Sequence, residues 1–341
     1  MVDCISLFSG AGGLDIGAER AGANILLCVE KDHDSVETLK LNNHNDGKVI
    51  LEQDIVNVSF EKFNKPNTDL VVIGGPPCQP FSKNGYWVKN ENRLIEKDPR
   101  NMISQFLRTL QETNAKAFLF ENVESILHPS NKAEFFSFIK SAEQLGYKCN
   151  YYKANALDFG VPQKRKRVFV FGLKTKGVAI PDPKPTHVDE KDYSILPKYK
   201  GVGEFIAKFD KKKYFEPYEV ATEGTYFYEL SNVPNGTNYM GLSKLDNFDG
   251  RTFKSGSRFW NFLFKLHPDQ PSITIAAQPG PWVGPFHWTN RRLRVPEIAA
   301  IQTFPEDYNF FGTRRSIQKQ IGNAVPPLLG EQMFKHLMEY L

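Results

Sequence analysis

At 341 residues, with a net charge of +4 and an ordinary share of apolar and charged side chains, the chain is long enough for one large and one small globular unit. It opens with no basic stretch followed by an apolar one and contains no apolar run near the ~20 residues of a membrane span, so neither a signal peptide nor a spanning helix is expected. The four cysteines (Cys4, Cys28, Cys78, Cys149) are widely spaced with no CxxC pair, which argues against a disulfide framework and a zinc site and predicts a reducing, cytoplasmic setting. Charge is unevenly spread. Residues 160–213 carry 14 Lys/Arg against 6 Asp/Glu, and residues 290–320 carry 6 against 3, a segregation that suits one surface facing a polyanion.

Residues 2–8 read as a buried strand, and Ser9-Gly10-Ala11-Gly12-Gly13-Leu14 turns into a helix running to about residue 21. A strand, a glycine loop and a helix open a doubly wound α/β fold. The spacing is not the dinucleotide fingerprint, because the third glycine would fall where Asp15 stands. That counts against a nicotinamide-dependent oxidoreductase. A second strand over 25–29 ends in Glu30, where a carboxylate can accept hydrogen bonds from both ribose hydroxyls of a nucleoside cofactor. A helix over 35–43, a short strand over 49–51 and the pair Asp54-Ile55 continue the alternation.

The strand over 70–73 runs into Gly74-Gly75-Pro76-Pro77-Cys78-Gln79-Pro80-Phe81-Ser82. Glycines and prolines here predict a stiff, irregular loop at a strand's carboxyl end, where open α/β sheets place their ligands. A free cysteine is commonly a small buried hydrophobe. The rigid scaffold and the polar Gln79 and Ser82 beside it point to a nucleophile instead. Residues 83–97, with Asn84, Gly85, Tyr86 and Trp87, lack periodicity and read as a lid. A helix over 102–112 follows, then a strand over 117–120 ending in Glu121-Asn122-Val123, a helix over 132–145 and a strand over 148–155. Beyond Gln163, period two puts Arg165, Arg167, Phe169 and Phe171 on one face. The apolar members enter the core, so both arginines are expected at the active edge of the same sheet.

Character changes near Pro181-Asp182-Pro183-Lys184-Pro185, a linker. Residues 186–289 are rich in Tyr, Phe, Asn and Gly, include Lys211-Lys212-Lys213, and predict a small, irregular, strand-poor domain. The larger unit is then 1–185 together with 290–341. A helix over 291–305 would scaffold the insert, and a C-terminal helix would pack on the sheet.

Pro77-Cys78-Gln79 followed by Phe81-Ser82 resembles the nucleophile motif of the DNA cytosine C5-methyltransferases. Phe8-x-Gly10-x-Gly12, Glu121-Asn122-Val123, Gln163-x-Arg165-x-Arg167 and Gln320-Ile321-Gly322-Asn323-Ala324-Val325-Pro326 resemble its other motifs in the same order, so the likeness covers about two thirds of the chain and leaves the insert nearly unmatched. Asn101 departs from it, standing where relatives carry glycine.

The resemblance implies a Rossmann-like sheet binding S-adenosylmethionine. Phe8 would pack on the adenine, Gly10, Gly12, Gly13 and Leu14 would surround the methionine part, Glu30 would take the ribose, and Asp54 and Ile55 the adenine amino group and ring. Pro77, Ile103, Asn323 and Ala324 would complete the pocket. It further implies that Cys78 adds to C6 of a flipped cytosine, that Glu121 serves N3, and that Arg165 or Arg167 serves O2. The insert would be the target-recognition domain, with Thr274-Ile275 its one recurrent element, and Ser82, Asn84, Lys211, Lys212, Lys213, Thr274 and Arg291 would touch double-stranded DNA. A monomeric, metal-free modification enzyme of a bacterial or phage restriction–modification system is the expectation. A tRNA methyltransferase of the same family and an idle nucleic-acid-binding relative are the rivals, and the second should have lost Cys78, Glu121 or a cofactor glycine.

Overall fold

The computed structural model describes residues 2–44, 47–65, 69–77, 102–219, 224–253 and 259–341. Among the described residues seven strands form one sheet: β1 (Val2–Leu7), β2 (Ala23–Glu30), β3 (Val49–Glu52), β4 (Val71–Gly74), β5 (Ala117–Val123), β6 (Tyr147–Asn155) and β7 (Lys166–Lys174). Their order is β3-β2-β1-β4-β5-β7-β6, and β7 runs antiparallel to both of its neighbours. The winding reverses between β1 and β4, which opens a crevice at the strands' carboxyl ends. Leu7 pairs with Gly74, and Gly74 with Phe120, so Phe8, Gly75 and Glu121 emerge side by side at that edge.

Helices cover both faces: α1 (Gly13–Arg20), α2 (His33–Leu41), α3 (Ile103–Thr113) and α4 (Lys132–Gln144), with the return segment's α9 (Pro327–Met338) closing the side of α1. Strands sandwiched this way are apolar on both faces. On one face Cys4, Ile73, Leu119, Phe169 and Phe171 meet Ala18, Leu329, Met333 and Phe334. On the other, Ile5, Val72, Phe118, Phe120 and Val170 meet Phe106, Leu110, Phe135 and Phe138. The predicted phase of β7 therefore holds for Phe169 and Phe171.

The insert is strand-poor among its described residues, built from α5 (Gly203–Ile206), α6 (Phe227–Asn232), short 3-10 turns and isolated bridges. Leu230, Val233, Tyr239, Leu242, Leu263 and Phe286 form a small core of their own. Val202, Ile206, Phe209, Leu266 and Ile275 instead share a core with Leu293, Ile298, Ile301 and Ile321. The return segment supplies α7 (Val295–Ile301) and α8 (Arg314–Asn323). The helix expected over 291–305 is thus shorter. Pro296 stands in its first turn, where a missing N–H costs nothing, and Arg291 to Arg294 precede it.

Candidate active site

A cleft of about 640 Å³ lies at the carboxyl ends of β1, β2, β4 and β5. Phe8, Gly10, Gly13 and Leu14 line it from the first loop, Glu30, Asp54 and Ile55 from the next two strand ends, and Pro77, Asn323 and Ala324 from the far side. Ten of the expected cofactor residues are thus brought together. The return segment can reach the loop because residue 13 has no side chain: a Cβ on Gly13 would lie 2.2 Å from the Val325 carbonyl oxygen. Tyr308 adds a second tie by donating to the Ala11 carbonyl at 2.7 Å.

Glu30 is held by backbone amides. Its Oε2 accepts from Gly10 N at 2.8 Å, and its Oε1 accepts from Lys31 N and Asp32 N, each at 2.8 Å. Asp15, at the position that breaks the dinucleotide pattern, is buried under the loop and accepts from Ser6 Oγ and Cys28 Sγ. Burial pushes its carboxyl above the usual range, partly opposed by Lys48. That residue fastens α1 to β1 and β2, so an acid is wanted where a dinucleotide enzyme wants glycine.

At the cleft's inner end stand Glu121 and Arg167. Because β7 is antiparallel, its first residues arrive at the ligand edge, and Arg167 pairs with Val123, one diagonal step from Glu121. Arg167 Nε lies 2.9 Å from Glu121 Oε1, yet Oε1 accepts no hydrogen bond from any described residue. The guanidinium therefore sits beside the carboxylate with its N–H off the hydrogen-bond line. Burial holds the Glu121 carboxyl above the usual range, while Arg167 and Arg165 pull it back down. Asn122 Nδ2 donates to the Pro76 carbonyl at 3.1 Å, fastening the stem of the Cys78 loop to the strand that carries Glu121.

The cleft has the volume of a small-molecule site. Around Gly10 a built Cβ meets nothing within 4 Å, which leaves open space against the loop. Apolar Phe8, Leu14 and Ile55 beside a pinned carboxylate suit an adenosyl group. The residues present fit a nucleoside cofactor.

Residues 2–339 match the family model described as C-5 cytosine-specific DNA methylase. The chain belongs to that family. It is 37% identical to the Type II methyltransferase M.SacI of Streptomyces achromogenes across 99% of this chain and 93% of that protein, and 35% identical to M1.HphI of Haemophilus parahaemolyticus across 98% and 86%. Among solved structures, a DNA modification methyltransferase encoded within an E. coli prophage matches with a TM-score of 0.65 at 21% identity, covering 99% of each chain. Spodoptera frugiperda DNMT2 matches with 0.66 at 17%, covering 99% of this chain and all of that one. At those identities the likeness is one of fold.

Several residues of this methylase lie elsewhere than expected. Arg165 does not reach the cleft: it is fully buried, and its Nη2 donates to the Gly322 and Ala324 carbonyls at 2.8 and 2.9 Å. Ile103 packs in the core, and Met102, just before α3, lines the cleft in its place. Gly12 lies behind the loop against Leu39 and Tyr308. Arg291 is committed internally. Its guanidinium donates to both Glu297 oxygens at 2.8 and 2.7 Å and to Asp210 at 3.1 Å. Thr274 spends its hydroxyl on the Lys164 carbonyl at 2.7 Å. Lys211, Lys212 and Lys213 are exposed. Cys78, Ser82, Asn84 and the lid read over 83–97 lie outside the described residues.

Sequence reading missed Asp32 and Lys319, which line the cleft and pair across it at 2.9 Å; a helix-capping aspartate and a lone lysine carry no signal of that meeting. It also missed a grouping of His33, Glu37 and Glu52, whose ligand atoms lie within 4.8 Å of one another. Those groups already pair, His33 with Glu52 and Glu37 with Lys40. Among the described residues no helix is long and apolar enough to cross a membrane.

Proposed function

We propose that this methylase transfers a methyl group from S-adenosylmethionine to C5 of a cytosine flipped out of a specific double-stranded DNA sequence, through a covalent bond between Cys78 and C6. The observation that carries the reading is the Glu121–Arg167 couple at the inner end of the cleft whose other wall is the Pro76-Pro77 stem of the Cys78 loop.

C5 of cytosine is a poor nucleophile. Attack of the Cys78 thiolate on C6 breaks the C5–C6 π bond and makes the ring an enamine. An ordinary thiol, with pKa ~8.5, is only a few per cent ionised at neutral pH, so its loop must favour the anion. Glu121 is suited to serve N3: its raised affinity for a proton lets it donate as negative charge develops there. Arg167 is suited to O2, sharing the same charge in a site shielded from water. S-adenosylmethionine, when bound, supplies an electrophilic methyl group. Once C5 carries that methyl, water takes the C5 proton, the C5–C6 double bond re-forms with expulsion of the Cys78 thiolate, and the N3 proton returns to Glu121, so the enzyme is regenerated.

C6 is out of reach inside a duplex, and flipping costs a few kcal/mol. Exposed Lys211, Lys212 and Lys213 are suited to phosphates, and residues 186–289 to reading the sequence. The names of M.SacI and M1.HphI, both type II methyltransferases, support a role in protecting DNA from a cognate nuclease. The test is methyl transfer from labelled S-adenosylmethionine onto duplex DNA and onto tRNA. DNA alone should be labelled, Cys78→Ser should abolish labelling while both ligands still bind, and 5-fluorocytosine at the target should trap a denaturation-resistant adduct. Labelling of tRNA alone, or turnover by the serine variant, would overturn the reading.

A further inference from the structure

The last-turn carbonyls of a helix have no donors within the helix and are ordinarily met by water or caps. At the carboxyl end of α8 they are met by two buried side chains from elsewhere. Gln302 Nε2 donates to Ile321 O at 2.6 Å and to Ala324 O at 3.2 Å. Arg165 Nη2 donates to Gly322 O and Ala324 O at 2.8 and 2.9 Å. The next two residues of this segment, Asn323 and Ala324, are wall residues of the cofactor cleft.

The same side chains lead to the insert. Gln163 Nε2 donates to Gln302 Oε1 at 2.7 Å, and Gln163 Oε1 accepts from Ile275 N at 3.1 Å. Arg165 Nη1 reaches Ile275 O at 3.5 Å. Gln163, Arg165 and Gln302 are all 0% exposed, so no bulk water can replace a lost partner. The packing leaves no slack either: a Cβ on Gly322 would fall 2.5 Å from Ala277 Cα. An unbroken run of bonds thus joins the backbone at residue 275 to the backbone at residues 321–324.

We infer that Gln163, Arg165 and Gln302 form a buried joint that holds the insert's 272–277 segment and the 321–324 wall of the cofactor cleft in one frame, which makes them positioning residues for both substrates. The DNA side of this inference rests on the reading that the insert faces the target. Each bond is worth little net, but a buried group left unpaired costs its full desolvation. Removing the Gln302 amide strands Gln163 Nε2 on one side and Ile321 O on the other, so both ends should loosen together.

The experiment uses the full chain carrying Gln302→Met, which keeps an unbranched side chain of similar length without the amide. S-adenosylmethionine affinity is measured by calorimetry without DNA. Target selectivity is measured as kcat/KM on the duplex identified by bisulfite sequencing of host DNA, against the same duplex with one base pair changed. Cofactor Kd should weaken about 5- to 10-fold and selectivity fall about 10-fold. Thr274→Val, which removes a bond to Lys164 at the same seam and none in the joint, should leave the cofactor Kd within about twofold. Arg165→Gln strands several carbonyls and is the variant most prone to misfold, so Gln302→Met decides. A Gln302→Met protein in which only one property moves, or neither, overturns the joint, as does a Thr274→Val protein that weakens cofactor equally. Failure of the insert reading would show separately, in an insert-exchange hybrid that keeps its original target.

Discussion

Adding one methyl group at Gly75 tests how tightly Glu121 is placed. A Cβ there would lie 2.7 Å from Glu121 Oε2, short of the 3.4 Å at which ordinary contact begins. The obstacle is a carboxylate held on a strand, with Arg167 2.9 Å from its other oxygen. Relief requires Glu121 to retreat by about 0.7 Å, or β4 and β5 to part at the catalytic edge. Gly75 is not in the left-handed region, so alanine strains no backbone angle and the effect is confined to this contact. Misplacement of a reacting group by about 1 Å can cost on the order of 10²-fold. Gly75→Ala should therefore slow methyl transfer by ~30- to 100-fold in single-turnover assays with labelled cofactor, while its melting curve shows a folded protein. A folded alanine variant with more than half the normal rate would refute the claim that the carboxylate's seat against Gly75 matters.

Glu121→Gln should lower kcat by ~10²-fold or more, as loss of a transition-state donor does. It also carries a pH signature. Burial raises the folded-state affinity of Glu121 for its proton, so its contribution to stability is present below the ordinary carboxylate range and is lost as pH rises through the folded value. Melting temperatures of the Gln variant should gain on the parent protein from pH 4.5 upward; a constant difference would contradict the burial argument. The two basic groups of the second half should behave oppositely. Arg291→Gln removes one partner from a buried pair whose side chains are 11% and 0% exposed, and should cost about 3 kcal/mol of stability in denaturant melts without changing the salt dependence of DNA binding. Neutralising Lys211, Lys212 and Lys213 together should leave stability alone, weaken binding about equally for all sequences and flatten that dependence by up to about three counterions. If the arginine and the lysines exchanged these effects, the assignment of exposed and internal cations would be wrong.

What the sequence determined by itself is local and ordered. Apolar runs bounded by glycine, proline and acids mark strands whose ends carry chemistry, and Phe8, Glu30, Asp54, Pro77 and Glu121 each stand at such an end. Because parallel strands bring their carboxyl ends to one edge, that order suffices to gather them. The insert's irregularity was legible too, from aromatic and asparagine content without helical period.

Tertiary structure decided depth and partners. Period two puts Arg165 and Arg167 on one face but does not say where β7 begins; the strand starts at Lys166 and its pairing with β5 at Arg167, so one arginine meets Glu121 and the other, two residues earlier, runs under α8. Met102 displaces Ile103 from the cleft because one residue of helix turns a side chain by about 100°. Arg291 and Thr274 look like free donors in a basic, polar stretch; Glu297 stands six residues from Arg291, but nothing local reveals Asp210 or the Lys164 carbonyl. Charge and hydrogen-bonding capacity are properties of a residue, whereas the group that satisfies them can be supplied by a distant chain segment, as Lys164 is for Thr274 and Asp210 for Arg291. That choice exists only once the sheet, the insert and the returning helix are packed together.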